Sequence, residues 1–256
     1  MNIEELFSLK YLNNTRALGT LLIAAIILAI VVVSLIGIII INFWIIPGNL
    51  ITEEKEYSNF TVVDIGSAFK VEIIQSTLYS VNITANENIL DKIDVTQEGN
   101  TLIIRAGPNI SMTSLYEAEI AMPKLTELVI SGASKVTAEG FSDSDPIVFE
   151  VSGASRLDMQ NFHVGNIKIE LSGASILTAE GSGSDLVSIV EGASRLDLTN
   201  FAVNNAEVDV SGASQATINL TGKLDAIVSG ASSLYYIGQP TMGNIETSGN
   251  STVNKK

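Results

Sequence analysis

The tetrapeptide Ser-Gly-Ala-Ser, which recurs about every twenty residues in the second half of the chain, constrains the fold more than any other feature. Five copies are complete, one begins with Glu, and one has Asn in place of Ala. Short alternating apolar and polar runs enter and leave the copies, as in Val148–Val151 and Arg156–Met159. A period of this length filled with strand-like runs is typical of a solenoid. The glycines of the seven copies are Gly132, Gly153, Gly173, Gly192, Gly212, Gly230 and Gly249.

We interpret each copy as a structural corner where the chain bends to close a coil. Glycine adopts a positive φ at such a corner without a Cβ clash. Coils stacked about 4.8 Å apart pair their backbones and bury side chains of one parity. Leu157 and Met159 are therefore expected inside, and Arg156 and Asp158 outside. The pattern predicts an all-β fold, a parallel β-helix with about 20 residues per turn and about ten turns.

A long apolar segment precedes the repeats. Residues 17–46 carry no charged side chain and exceed the roughly 20 residues that span a bilayer. A cleaved signal peptide is the alternative, but its apolar core is usually only about 7–15 residues long. We therefore expect a retained transmembrane helix at 17–46, after a cytoplasmic leader at 1–16. A linker at 47–58 and a β-helix ectodomain at 59–254 are expected to follow.

The charges beside the apolar segment predict its orientation. Lys10 and Arg16 precede it, whereas the acidic run that starts at Glu53 follows it. The positive-inside rule therefore keeps the N-terminus in the cytoplasm and places the repeats outside the cell membrane. The chain has a net charge of −14, and this excess lies in the exported part. Such an acidic module is not expected to bind nucleic acid.

Four further segments carry a family resemblance: Gly66–Gln75, Val81–Leu90, Glu98–Arg105 and Leu125–Ser134. Through them the chain resembles the head GIN domain family of auto-transporter adhesins over nearly the whole predicted ectodomain. The resemblance implies an exported parallel β-helix that serves adhesion or another role at the cell surface. It supplies no catalytic residues.

Candidate chemical sites are few. Asp158 and Asp197 recur at equivalent positions, but each follows an arginine by two residues, which favours surface ion pairs over a pair of catalytic carboxylates. His163 has no partner at metal-ligand spacing. We therefore expect no catalytic residue, no cofactor and no metal. Three turn aspartates leave a calcium site as an alternative to solvated loop acids: Asp143, Asp145 and Asp185.

The favoured hypothesis is a membrane-anchored, surface-exposed, non-catalytic module that binds or adheres. Solenoid faces offer broad contact surfaces for a glycan or a protein partner. The first candidate face is the row after the corners, with Lys135, Arg156 and Arg195. A carbohydrate-active enzyme on the same scaffold and an envelope scaffold or sensing subunit remain alternatives. Open solenoid ends invite strand pairing, so oligomerisation through the C-terminal edge is a further expectation.

Overall fold

The computed structural model describes residues 49–108, 110 and 116–256. Residues 49–256 form one compact unit, and its only helical element among the described residues is a 3-10 turn at Leu90–Lys92. The predicted leader and transmembrane helix, residues 1–16 and 17–46, lie outside the described residues. None of the helices that the structure does describe is long and apolar enough to cross a bilayer.

Short turns separate the strands of the described residues. In chain order these are β1 (Leu50–Lys55), β2 (Val62–Ile65), β3 (Lys70–Gln75), β4 (Ser80–Asn86), β5 (Ile93–Glu98), β6 (Thr101–Ala106), β7 (Tyr116–Met122), β8 (Glu127–Ile130), β9 (Lys135–Glu139), β10 (Ser142–Asp143), β11 (Ile147–Val151), β12 (Arg156–Val164), β13 (Ile167–Leu171), β14 (Ile176–Ser182), β15 (Leu186–Val190), β16 (Arg195–Val203), β17 (Ala206–Val210), β18 (Gln215–Leu220), β19 (Lys223–Val228), β20 (Ser233–Ile237), β21 (Thr241–Thr247) and β22 (Thr252–Lys255).

The strands build two sheets. Sheet A has the order β1-β4-β7-β3-β9-β12-β14-β16-β18-β20-β22, with β10 beside β12, and sheet B has the order β21-β19-β17-β15-β13-β11-β8-β2-β6-β5. From β8 onward, apart from the two-residue β10, the chain alternates between the sheets. Each strand of this part pairs in parallel with its equivalent one turn later. The fold is a β-solenoid of about six turns, as the repeat predicted in outline.

One apolar core runs through the stack because alternate residues of each strand point inward. Leu157 and Met159 are buried as predicted, whereas Arg156 is exposed. The ring of Phe162 lies 5.4 Å from that of Phe141 and 6.1 Å from that of Phe149. A fully buried side chain of this size contributes about 1.5–3 kcal/mol. Since the chain has no cysteine, packing rather than disulfides stabilises the unit.

The N-terminal end does not stack in sequence order, so the prediction of about ten consecutive turns was wrong. The layer of β2 and β3 lies between the β6–β7 layer and the β8–β9 layer. Strands β4 and β5 run antiparallel to β7 and β6. Strands β5 and β6 form a hairpin that turns at Glu98-Gly-Asn-Thr, with Gly99 at φ 61°. These antiparallel strands, with β1, end the two sheets, and therefore parallel coiling does not extend over all of residues 59–254.

The segment predicted as a linker, residues 47–58, belongs largely to the folded unit. Its strand β1 pairs antiparallel with β4 along six residues, and the hydroxyls of Thr52 and Thr84 lie 2.8 Å apart. Tyr57 packs against the core and donates a hydrogen bond to the carbonyl oxygen of Val95. The segment resembled a linker because β1 is an edge strand with exposed side chains, and such a strand needs no apolar alternation.

Candidate binding face

The seven corner glycines form a column along the solenoid. All have φ between 74° and 80°. From Gly153 onward, a Cβ atom on each would lie 2.4–2.6 Å from the carbonyl oxygen of the glycine one turn earlier. The next backbone N–H donates to that same oxygen, as from Ala174 to Gly153 at 2.7 Å. The column therefore joins neighbouring turns and leaves no room for a side chain.

The last serine of the first six motif copies is buried behind this column. The backbone N–H of Ser175 donates to Oγ of Ser194 at 3.3 Å, and equivalent contacts follow in the next two turns. These hydroxyls connect turns and present no exposed nucleophile. The buried set, each 0–2 % exposed, is Ser134, Ser155, Ser175, Ser194, Ser214 and Ser232.

Lys135, Arg156 and Arg195, the residues of the predicted binding face, stand in one row across sheet A. Parallel pairing places Lys135 beside Arg156, and Ile176 lies between the two arginines. All three basic side chains are exposed on the outer face of the sheet. We call this set the basic row. It continues on β18 and β20 with Gln215 and Ser233.

An aspartate of the neighbouring row binds each arginine. Arg156 donates two hydrogen bonds to Asp158, at 2.8 and 2.9 Å. Arg195 donates one to Asp197 at 3.3 Å. The predicted surface ion pairs are thus confirmed. Lys135, in contrast, forms no ion pair with any residue that the structure describes.

Both aspartates are held in the ionised state. Burial opposes ionisation of Asp158, but hydrogen bonds from its arginine and from Thr178 outweigh burial and lower the carboxyl pKa. Burial acts in the same way on Asp197, where hydrogen bonds from the Thr199 side chain and backbone, together with the arginine, lower the pKa. Two carboxylates with lowered pKa values can accept hydrogen bonds but are poor proton donors.

Three successive strand pairs bulge beside these rows and open a groove on the outer face of sheet A. The register shifts in the pairs β12–β14, β14–β16 and β16–β18. Asn161 adopts φ 56° and Gly181 φ 134° within this region. The groove has a volume of about 740 Å³. We call it the bulge groove, and its lining includes Lys135, Arg156, Asp158, Gln160, Glu180 and Asn200.

The bulge groove was not predicted from the sequence. A signal was present, because Asn161 and Gly181 stand one turn apart, just after the strand runs that follow the corners. Asn and Gly tolerate positive φ and are frequent in bulges.

His163, the one histidine of the chain, lies beside Gly181 and Ser182 of the next turn of the solenoid. His163 pairs with Ser182 in register, and its Nδ1 lies 3.0 Å from the serine Oγ. A Cβ atom on Gly181 would overlap the backbone of Phe162. These residues therefore hold the ends of β12 and β14 in close contact.

The turn aspartates bind different partners. Asp143 and Asp145 both pair with Lys124, whereas Asp185 accepts hydrogen bonds from Asn205. In the described ranges, no three His, Cys, Asp or Glu side chains are grouped as a metal site requires. The alternative of a calcium site therefore gains no support.

Comparison with known proteins gives one family match. The family model described as "Putative auto-transporter adhesin, head GIN domain" matches residues 59–240. No curated protein matches the chain.

Several solved structures share the fold. A "putative adhesin" from Bacteroides fragilis is 24% identical with a TM-score of 0.78, and the match covers 82% of this chain and 99% of that chain. A "putative adhesin" from Parabacteroides merdae is 15% identical with a TM-score of 0.63, covering 82% and 98%. A "Putative lipid binding protein" from Parabacteroides distasonis is 18% identical with a TM-score of 0.63, covering 82% and 97%. At these identities the likeness shows the fold alone.

Proposed function

This chain belongs to the head GIN domain family, and on that premise we propose that it is a membrane-anchored, surface-exposed module that binds a partner without catalysing a reaction. The adhesin names of the family and of two fold neighbours support this role. A stack of coils also offers an extended outer face on which side chains recur at fixed spacing.

Display outside the cell membrane is part of the proposal. The uncharged residues 17–46 are long enough to span a bilayer, and the flanking charges favour a cytoplasmic N-terminus. The β-solenoid, here taken to be of the parallel β-helix type, would then be extracytoplasmic. Protease added to intact cells should digest a C-terminal epitope tag but spare an N-terminal one, and the reverse pattern would contradict this orientation.

The observation that carries the binding role is the basic row on sheet A. Its residues come from different turns, yet pairing in register brings them onto one exposed surface. Lys135 has no ion-pair partner among the described residues, and the two arginines are ordered by their aspartates. Ordered charged groups on a rigid sheet lose little side-chain entropy on binding, which favours recognition.

The test is to replace the basic row and measure adhesion. The variant Lys135→Gln/Arg156→Gln/Arg195→Gln is expected to bind cell surfaces at least about tenfold more weakly, because losing about 1.4 kcal/mol of contacts has that effect. Lys168→Gln/Lys223→Gln is the control away from the row; it removes two charges rather than three, and each of these exposed lysines also pairs with an acid two residues later. Equal adhesion of both variants would remove the basic row from the proposal.

The electrostatics of the two aspartates support a non-catalytic role. A glycosidase needs one carboxylic acid whose raised pKa keeps it protonated as the general acid. The pKa values of Asp158 and Asp197 are instead lowered. Turnover of any cell-wall polysaccharide by the purified protein, abolished by Asp158→Asn, would reverse this conclusion in favour of the enzyme alternative.

A scaffold subunit is the second candidate function, and the C-terminal end of the solenoid favours it. Strands β21 and β22 form the last edges of both sheets. Met242 is 44% exposed there, and Ile245 and Val253 are only partly buried against the core. A protein partner or a second copy that paired with these edges would cover this apolar surface.

A further inference from the structure

We propose that the bulge groove binds a linear, uncharged polysaccharide that runs across the strands, from one turn of the solenoid to the next. This inference rests on the proposed function, because it names the class of ligand for the face that carries the basic row. Three independent properties of the groove lead to it: its unoccupied polar groups, its balanced charge and its two-turn period.

One set of polar side chains in the groove is unoccupied. Gln160, Glu180 and Asn200 are exposed, and none makes a side-chain hydrogen bond or ion pair with any residue that the structure describes. Amide groups both donate and accept hydrogen bonds, and a carboxylate accepts them. Sugar hydroxyls need donors and acceptors together. The aspartates Asp158 and Asp197 already accept hydrogen bonds from arginine and threonine, so their side chains hold fixed positions in the groove.

The charges that line the groove balance. Although the whole chain carries a net charge of −14, the lining has three cationic and three anionic side chains. A polyanion or polycation would therefore meet as many repulsive as attractive groups, whereas a neutral polymer avoids that cost. The six charged residues are Lys135, Arg156, Asp158, Glu180, Asp197 and Lys256.

The arginine–aspartate pairs along the groove recur every second turn of the solenoid. The pair Arg156 and Asp158 recurs two turns later as Arg195 and Asp197, and the uncharged Ile176 and Thr178 of β14 occupy the equivalent positions between them. Two turns correspond to about 10 Å along the stack. An extended 1,4-linked β-glycan repeats after each disaccharide over a comparable length. Equivalent hydroxyls of successive disaccharides can therefore meet equivalent protein groups, which a ligand of unrelated period cannot do.

Binding of defined oligosaccharides to the full-length protein in detergent tests the inference. The probes are chito-, cello- and xylo-oligosaccharides of two to six sugars, with heparin fragments as the polyanionic comparison. We expect at least one neutral series to bind, with affinity rising up to about three sugars, since the three steps from β9 to β16 span about 14 Å. The variant Gln160→Ala/Glu180→Ala/Asn200→Ala should weaken that binding at least about tenfold.

A control of identical composition is available away from the groove. Asn204→Ala/Glu207→Ala/Gln239→Ala also removes one Asn, one Glu and one Gln from exposed positions, and it should leave binding unchanged. Failure of every neutral probe to bind, preferential binding of heparin, or equal effects of the two variants would overturn the inference. Wild-type adhesion to cells in that case would leave the proposed function standing. Loss of adhesion in the basic-row variant would likewise support the proposed function, even if no oligosaccharide binds.

Discussion

Gly140 and Gly173 illustrate two different requirements for glycine, a positive φ and the absence of space for a side chain. Both have positive φ, 83° and 77°. A Cβ atom on Gly140 would meet nothing within 4 Å, whereas one on Gly173 would lie 2.4 Å from the carbonyl oxygen of Gly153. The first position therefore requires glycine only for its backbone conformation, and the second also for space.

This difference predicts unequal costs of substitution by alanine. Gly140→Ala should lower the free energy of unfolding by about 1 kcal/mol, through the left-handed conformation alone. Gly173→Ala should lower it by about 3 kcal/mol, because adjacent turns must also move apart. Urea denaturation followed by circular dichroism measures both. Equal losses would mean that the crowding at the corner column is relieved at no cost.

Single residues also mark the limit of prediction from sequence. The seven corners were recognisable because each carries glycine at the same point of a repeat. The corner between β2 and β3 was not, because Ser67 and Ala68 adopt positive φ there, at 65° and 62°. A non-glycine residue in this conformation is held by its surroundings. Local sequence does not encode those surroundings.

At the level of strands, β12 and β16 each carry an arginine–aspartate pair on the face that points to solvent. The lowered pKa values of Asp158 and Asp197 mean that folding favours their ionised forms. Their stabilising contribution is present at neutral pH, above the ordinary pKa of about 4. It is lost as the pH falls through the lowered folded-state values, because the carboxyls then become protonated.

The stability of Asp158→Asn/Asp197→Asn should therefore converge with that of the wild type in acid. The double variant is expected to unfold more easily at pH 7 by about 1 kcal/mol or less, as befits partly exposed pairs. The difference should shrink below about pH 4. Denaturant midpoints across pH 2–7 give the comparison, and a difference independent of pH would show that the carboxylate charge is not what stabilises these strands.

Strands were predictable where burial imposes alternation, as in β11, β13 and β17, whose patterns of buried and exposed residues are nearly regular. The edge strand β1 lacks that constraint, since its side chains are almost all exposed. Its pairing with β4 is a backbone interaction that leaves little trace in side-chain type. The bulge groove was missed for a related reason, because a bulge changes backbone spacing while the residues remain polar.

For the whole molecule, the last edge of sheet A carries a charge in an inward-pointing row. Lys255 pairs in register with the half-buried Tyr236, which follows the buried Ile218. Charges placed in this way discourage another strand from adding to an edge. At this one position the last edge is thus charged where the earlier turn is apolar.

Deletion of residues 247–256 tests what this edge does. The deletion removes β22 and leaves the apolar side chains of β20 uncovered, so we expect larger particles by light scattering than for the wild type. Lys255→Ala/Lys256→Ala keeps the strand and removes only the charges, and it should produce a smaller increase. A wild-type oligomer that becomes monomeric on deletion would instead support end-to-end assembly and the scaffold role.

The order of the layers shows why overall topology was harder to predict than the repeat. The later turns follow one another because short connections leave each new strand beside the last. The β2–β3 layer has the same apolar alternation as any other, so its side chains do not specify which layers will flank it. Its position depends on contacts with β6 and β7 far along the chain, and pairings at such separations have no local signal.

The inserted β2–β3 layer also implies that the N-terminal layers and the later turns fold in different ways. When synthesis proceeds from the N-terminus, β2 and β3 emerge early but cannot complete their pairing until both β6–β7 and β8–β9 exist, so we expect this end to finish assembling later than its place in the chain suggests. Each later turn then finds a finished template and can add singly. Gain or loss of whole turns during evolution should therefore be confined to the stretch after β9, where six of the seven motif copies lie.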